Sequence, residues 1–468
     1  MADKTQGEIM REKLFYEPKQ GFEVYDEDRI KKAYDFCEGY KQYLDNGKTE
    51  REAAAETVGI LKENGFTEYV FGKKYNPGDG VYLNNCGKYI IAARIGENSA
   101  DSGANIIAAH IDSPRIDLKQ RPLYEDSGFA FFKTHYYGGI KKYQWLTLPL
   151  ALHGVIIKAD GEAVNIKIGE NENEPVLCIT DLLPHLAKDQ YEKKLIDAVP
   201  GESLNILLGS RPFKLDKEDK TGERIKLNIL NILNRKYGIT EADFVTAELS
   251  LVPAGKARDV GLDRSLVGAY GQDDRVCAYP SLRALIDSPK TGNTAVVVLM
   301  DKEEIGSEGN TSMKSAIFRQ FIESLADMDG VCKAAAFANS KCLSADVNAA
   351  FDPNYADVYE KRNTGVLNGG VVITKYTGTR GKSGSSDAHA EFLGYVRRVF
   401  DENNILWQTS ELGKVDQGGG GTVAAYIANL NINVVDLGVG LLSMHAPFEV
   451  ASKIDIYEMY EAGKAFMK

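Results

Sequence analysis

Several things are scarce in this 468-residue sequence. Cysteine is one. There are six (Cys37, Cys86, Cys178, Cys277, Cys332 and Cys342), and no two form a CxxC pair. That scatter argues against a disulfide framework and for reduced, mostly buried thiols in a cytoplasmic protein. Positive charge is also short. A net charge of −11 argues against nucleic acid as the main partner, which would want a basic face. Long apolar runs are missing: no stretch of about 18 uncharged apolar residues occurs, so no membrane span is expected. The opening, MADKTQGEIMREKLFY, has no apolar core of signal-peptide length. With 43% hydrophobic and 26% charged residues, the composition is that of a soluble globular protein long enough for two or three domains.

What is present is a change of texture along the chain. The first 70 or so residues read as helical. EDRIKKAYDFCEGYKQYL has apolar residues at helical spacing, and a capping-box pair, Thr49 and Glu52, opens EREAAAETVGILKENG, closed by Gly65. Then YIIAARI and NIIAA read as buried strands. Residues 118–252 look different, with short β-like runs (FAFFKTHYY, LTLPLALHGVIIKA, EAVNIKIG) between glycine and charged turns. FKLDKEDKTGERIKL reads there as a surface loop. After Ala254 the alternation returns: TAVVVLM, KAAAFAN and INVVDLG as strands, with AYPSLRALI, DAHAEFLGYVRRVFDENN, TVAAYIANL and IDIYEMYEAGKAFMK as helices. The expected architecture is α/β: a mixed sheet covered by helices on both faces, formed by residues 1–117 and 253–468, with a mostly β domain inserted at 118–252.

Polar residues at the ends of buried strands are where α/β sites form. Five places qualify: His110 and Asp112 in AAHIDSPR, Asp273 and Asp274 in YGQDDRV, Glu303 and Glu304 in LMDKEEIGSEG, Asp346 in LSADVNAAFDPNY, and His445 in LLSMHAPFEV. Each alone has an ordinary reading: a hydrogen-bonded core histidine, an N-cap, a solvated acidic pair. Together they match the mixed nitrogen and oxygen ligation of zinc, cobalt or manganese. Two neighbouring ions need a bridging carboxylate and roughly a histidine and a carboxylate each. Asp273 fits the bridge, with His110 and Asp346 on one ion and Glu304 and His445 on the other. Glu303 is left over beside a ligand. There it would take a proton from the water between the metals and return it to a leaving amine.

In order and rough spacing, AAHIDSPR, GQDDRV, DKEEIGSEG, SADVNAAFDPNY and SMHAPFE resemble the motifs of the aspartyl aminopeptidase family, dinuclear-metal enzymes related to the tetrahedral aminopeptidases. The resemblance implies that His110, Asp273, Glu304, Asp346 and His445 are metal ligands for two divalent ions, zinc first, with cobalt or manganese as alternatives. It implies that Asp112 orients the first histidine, that Glu303 is the general base, and that Asp274 follows the bridging residue at a strained peptide. It also implies that the inserted domain mediates dimer contacts and that its His185, in LLPHLAKD, reaches a neighbouring subunit's site to polarise the scissile carbonyl. The expected activity is release of single N-terminal residues, acidic ones by family default, from short peptides with free N-termini. The expected assembly is a large homo-oligomer, a tetrahedral dodecamer. The chain departs from the family pattern where Ala349 and Asp352 stand in place of further histidines. WQTSELGKVDQGGGGTVAAY likewise replaces the usual stretch near the substrate side chain.

Other residues compete for roles. Asp387 and His389 in SGSSDAHAEF read as a helix start, with Ser385, Ser386 or Asp387 as cap and His389 on the helix. GGGG at 418–421, Gly418 and Gly419 above all, reads either as backbone N–H groups offered to a substrate anion at a helix start or as a turn. Lys375 in VVITKYTG is either a substrate-binding charge or a surface lysine. Lys382 and Lys414, near the glycine run, suit an acidic substrate or the solvent. His135 and His153 read as structural or interfacial, and Cys277 as a buried thiol. Two other classes stay in view: a dinuclear carboxypeptidase or N-acyl amino acid deacylase, and a non-catalytic scaffold that should have lost a ligand or the base.

Overall fold

A computed structural model describes residues 4–216 and 218–468. Met1–Asp3, at the start of the segment searched for a signal peptide, and Lys217, in the stretch read as a surface loop, lie outside the described residues. A nine-stranded mixed sheet forms the centre. Its spatial order is Thr67–Glu68, Gly80–Asn85, Tyr89–Arg94, Thr294–Met300, Ala104–His110, Lys341–Ala345, Asn433–Gly438, Val371–Thr374 and Trp407–Thr409. The four middle strands, Thr294–Met300 to Asn433–Gly438, run parallel, and the register aligns Met300 with His110 and Ala345 with Leu437.

Parallel strands bury both faces, which explains their unbroken apolar character. Alternate residues enter two cores. Ile107, Ala109, Val297 and Leu299 face the helices Glu27–Asn46, Gln272–Ile286 and Lys453–Met467. Ile106, Ala108, Val296 and Val298 face the side closed by Ile317–Asp329 and Ala424–Ala428. The sheet is therefore covered on both faces, as its composition implies. The capping box at Thr49 and Glu52 forms and starts the Glu50–Glu63 helix.

Some readings need correction. KAAAFAN is not a strand: Lys333–Ala338 is helical, as a run of alanines favours, and the strand is the next segment, Lys341–Ala345. The segment 118–252 is less purely β than its texture suggests. RIKLNILNILNRKY, whose Ile and Leu recur at helical spacing, forms the helix Arg224–Tyr237. Half of the thiols are buried rather than most: all six are free, with Cys37, Cys277 and Cys342 buried, Cys178 half-buried, and Cys86 and Cys332 exposed.

A second, antiparallel sheet has the order Ala163–Ile168, Leu150–Ile157, Glu248–Pro253, Arg115–Asp126, Phe129–Tyr137 and Ile206–Gly209. It has its own core around Phe132, Trp145, Phe244 and Leu251. His153 is fully buried at its junction with the N-terminal helices, between Glu52 (2.8 Å) and Glu170 (2.9 Å), a structural position. No helix among the described residues is long and apolar enough to cross a membrane.

Candidate metal centre

The parallel strands deliver their polar residues to one edge. His110 ends its strand, Asp346 follows Ala345, and Glu303 and Glu304 share one helical turn after Met300. Asp273 opens the helix Gln272–Ile286, and its peptide bond to Asp274 is cis. His445 sits on the loop between Gly440–Leu442 and Glu449–Ser452. The chain thus brings all five expected ligands together. His110, Asp273 and Asp346 offer one set of donor atoms within 4.8 Å of one another, and Asp273, Glu304 and His445 offer a second. Asp273 is common to both. His110 Nε2 lies 3.1 Å from Asp273 Oδ1 and 3.9 Å from Asp346, while His445 Nε2 lies 3.2 Å from Asp273 Oδ2 and 3.4 Å from Glu304.

The supporting contacts fix which nitrogens face inward. His110 Nδ1 is 2.9 Å from the backbone oxygen of Asp112, and His445 Nδ1 is 2.8 Å from that of Gly139. A carbonyl can only accept, so each Nδ1 carries a proton and each Nε2 is the nitrogen turned toward Asp273, free to ligate an ion once it gives up its own proton. The Asp112 carboxylate is fully buried and accepts the backbone N–H groups of Glu303 and Glu304 at 3.2 Å each. Glu449 was not foreseen. Buried, it accepts the backbone N–H of Asp273 (3.1 Å) and of His445 (2.8 Å), tying two ligand-bearing segments together.

The charge balance is lopsided. Burial, then the charge of Asp273, pushes Glu304 well above the carboxylate range, and burial, then Glu303, does the same to Asp346. Burial also raises Glu303, helped by Asp112 and Asp273 and opposed by His110. Burial works against ionisation of Asp273, but the imidazoles of His110 and His445 outweigh it and hold the carboxyl low. Asp273 Oδ1 and Glu304 Oε1 are buried and accept no hydrogen bond. Carboxylates crowded out of water with orphaned oxygens need cations. The donors, two imidazoles and three carboxylates, are those that zinc, cobalt or manganese accept. The residues fit a pair of such ions.

The centre opens into a cavity of about 760 Å³. Glu303, in neither donor set, lies on its wall, and so do Gly418 and Gly419. The glycines do not start a helix, because the Ala424–Ala428 helix begins later. Gly419 and Gly420 instead pair with Gly378 and Thr379 in a small antiparallel ribbon. A Cβ at Gly418 would sit 1.9 Å from the Leu412 carbonyl oxygen, which accounts for glycine there. Lys375 is not in the wall; it pairs with Asp387, as does Lys382 at 2.9 Å. Arg380, Lys382 and Lys414 are in the wall. The cap of the Ala390–Glu402 helix is His389 itself, whose ring accepts from Phe392 N, so Ser385, Ser386 and Asp387 are not the cap. His185 lies on an exposed turn, Pro184–Leu186, and outside this chain's cavity wall. Asp352 caps a turn of its own through Asn354 N at 2.9 Å.

Comparison with known proteins extends the geometry. The family model described as aminopeptidase I zinc metalloprotease (M18) matches residues 43–467. The chain is 49% identical over 462 residues to the probable M18 family aminopeptidase 1 of Clostridium acetobutylicum, covering 97% of this chain and 99% of that one. To the Thermotoga maritima protein of the same name it is 46% identical over 441 residues, covering 92% and 95%. The crystal structure of the Thermotoga maritima M18 aminopeptidase superposes with a TM-score of 0.92 at 44% identity, covering 97% of this chain and 100% of that one. That of aminopeptidase I from Clostridium acetobutylicum gives 0.91 at 45%, covering 97% and 100%.

Proposed function

The chain belongs to the M18 family of zinc metallo-aminopeptidases, and from that premise we propose that it releases single residues from the free N-termini of peptides at a two-ion centre bridged by Asp273. The observation that carries this is the pair of donor sets sharing Asp273, with Glu303 beside them and in neither. Two divalent ions held by His110, Asp346, Asp273, Glu304 and His445, zinc first and cobalt or manganese next, would supply Lewis acidity and a water of lowered pKa. Glu303 then takes the proton from the attacking water and delivers it to the departing amine. Asp112 holds the His110 ring and the Glu303–Glu304 turn at once, which keeps base and ligand in register.

The preferred side chain is acidic in this reading. Arg380 and Lys414 line the cavity, and among the described residues neither is in an ion pair. The reading also includes a large homo-oligomer, a tetrahedral dodecamer, in which His185 reaches a neighbouring chain's cavity. Its support is the exposed apolar side chains around that histidine, Leu182, Leu183, Leu186 and Leu195. Cytoplasmic residence fits the six free thiols.

The test is a panel of peptides with free and N-acetylated termini, given to metal-stripped protein resupplied with zinc, cobalt or manganese. Cleavage confined to free amines, fastest before aspartate and glutamate, is expected. Cleavage of the N-acyl peptides would transfer the site to a deacylase, and cleavage from the carboxyl end to a carboxypeptidase.

A further inference from the structure

The inserted sheet does more at this site than stand beside it. Its strand Phe129–Tyr137 ends at the metal centre, and three consecutive residues there touch both halves of it. Tyr137 Oη donates to Asp112 Oδ2 at 2.8 Å. Gly139 O accepts from His445 Nδ1 at 2.8 Å. Between them Gly138, at φ 73°, lets the backbone pass so close that a Cβ would lie 3.3 Å from Glu304 Oε2. We propose that Tyr137 and Gly139 are positioning residues of the two-ion centre: the inserted sheet completes that centre by holding Asp112 on one side and the His445 ring on the other.

The geometry is built for the task. The Tyr137 ring lies under the Arg115 guanidinium, 3.9 Å from its centroid. Arg115 is itself fixed by Asp117 at 2.8 Å and Glu50 at 3.2 Å. The phenol therefore has little freedom to leave Asp112. Burial, then the Asp112 charge, raises its pKa well above the ordinary value, so it stays a donor. Asp112 in turn receives the Glu303 and Glu304 N–H groups and faces His110 Nδ1 at 3.4 Å. Losing the phenol donor frees that carboxylate to rotate, and the His110 ring and the Glu303–Glu304 turn lose a common reference. On the other side, the Gly139 carbonyl sets the His445 tautomer that presents Nε2 inward.

The inference rests on the two-ion reading, and the experiment separates the two. Wild type, Tyr137→Phe, Gly138→Ala and the neighbouring Tyr136→Phe are compared as full-length protein. Zinc affinity is measured by chelator competition, the cobalt-loaded visible spectrum is recorded, and circular dichroism reports folding. Tyr137→Phe removes one oxygen and should weaken zinc by roughly ten- to a hundredfold, the usual cost of losing an outer partner. Its activity at limiting zinc should fall in step and recover at saturating zinc. Gly138→Ala, which adds strain and a Cβ near Glu304, should shift the cobalt spectrum. Tyr136→Phe should change none of these. Unchanged zinc affinity in Tyr137→Phe and an unchanged spectrum in Gly138→Ala, with wild type binding normally, overturn the inference alone. A wild type that binds no zinc overturns the two-ion reading, and the inference with it.

Discussion

Replacing Glu303 by glutamine should separate activity from stability. The side chain is in neither donor set, so the change removes no ligand. The hydrogen bond from Glu303 to Asp112 comes from its backbone N–H and survives the substitution. What disappears is the proton acceptor. A positioned general base contributes about 10²- to 10⁴-fold, so kcat should fall by that factor, a barrier increase of about 3–5 kcal/mol. Stability should move the other way. Burial, opposed by His110 and reinforced by Asp112 and Asp273, raises the folded-state pKa of Glu303 above its unfolded value. An acid shifted upward keeps its proton in the folded state after the unfolded chain has lost it, so its contribution weakens as pH rises past about 4.3. Ionising this buried carboxyl is a burden that neutral glutamine lacks. The metal-free variant should therefore melt at the wild-type temperature or above it. The assay pairs kcat on a free-amine peptide with zinc content and a melting curve. A loss of less than tenfold, or a loss accompanied by lower zinc content or a lower melting temperature, would refute the assignment of Glu303 as base.

Three further outcomes follow from particular contacts. Burial works to lower the His153 pKa, but Glu170 and Glu52 outweigh it and raise it, so its stabilising contribution is complete below about pH 6.5 and is lost as pH climbs through the folded value. Melting temperature should decline with pH above that point, and His153→Gln should flatten the decline; parallel curves would contradict this. Gly418→Ala puts a Cβ into the Leu412 carbonyl and should displace the ribbon on the cavity wall, lowering kcat/KM by about 10²-fold with zinc content unchanged. Asp273→Asn removes the charge shared by both donor sets, so zinc bound per chain after dialysis should fall for both ions together; loss of one ion alone would deny the bridge.

His110 and Glu304 were readable because each follows an apolar run so continuous that it must be buried on both faces. A histidine or carboxylate at such an end has left the core but not reached solvent. His110 after ANIIAA and the glutamates after TAVVVLM carry that signature. The supporting residues do not. Glu449 acts through backbone N–H groups more than 170 positions away in the case of Asp273, and Gly139 acts through a carbonyl that every residue possesses. Tyr137 reads as one more aromatic in FAFFKTHYY until the strand's end is seen to meet Asp112. The one visible hint was the GG that follows, two small residues where a strand should turn against something close. Local preference misplaced KAAAFAN because a short apolar run fits helix and strand alike, and the alanines decided for helix. His389 capping its own helix was missed because a ring nitrogen is a less usual cap than the serines before it.

The central claim is that two ions share Asp273 at the end of the parallel sheet. Anomalous diffraction from zinc-loaded crystals tests it directly. The account predicts two peaks per chain, one among His110, Asp273 and Asp346 and one among Asp273, Glu304 and His445, with Glu303 coordinating neither. A single peak, or a peak whose ligands omit Asp273, would contradict it.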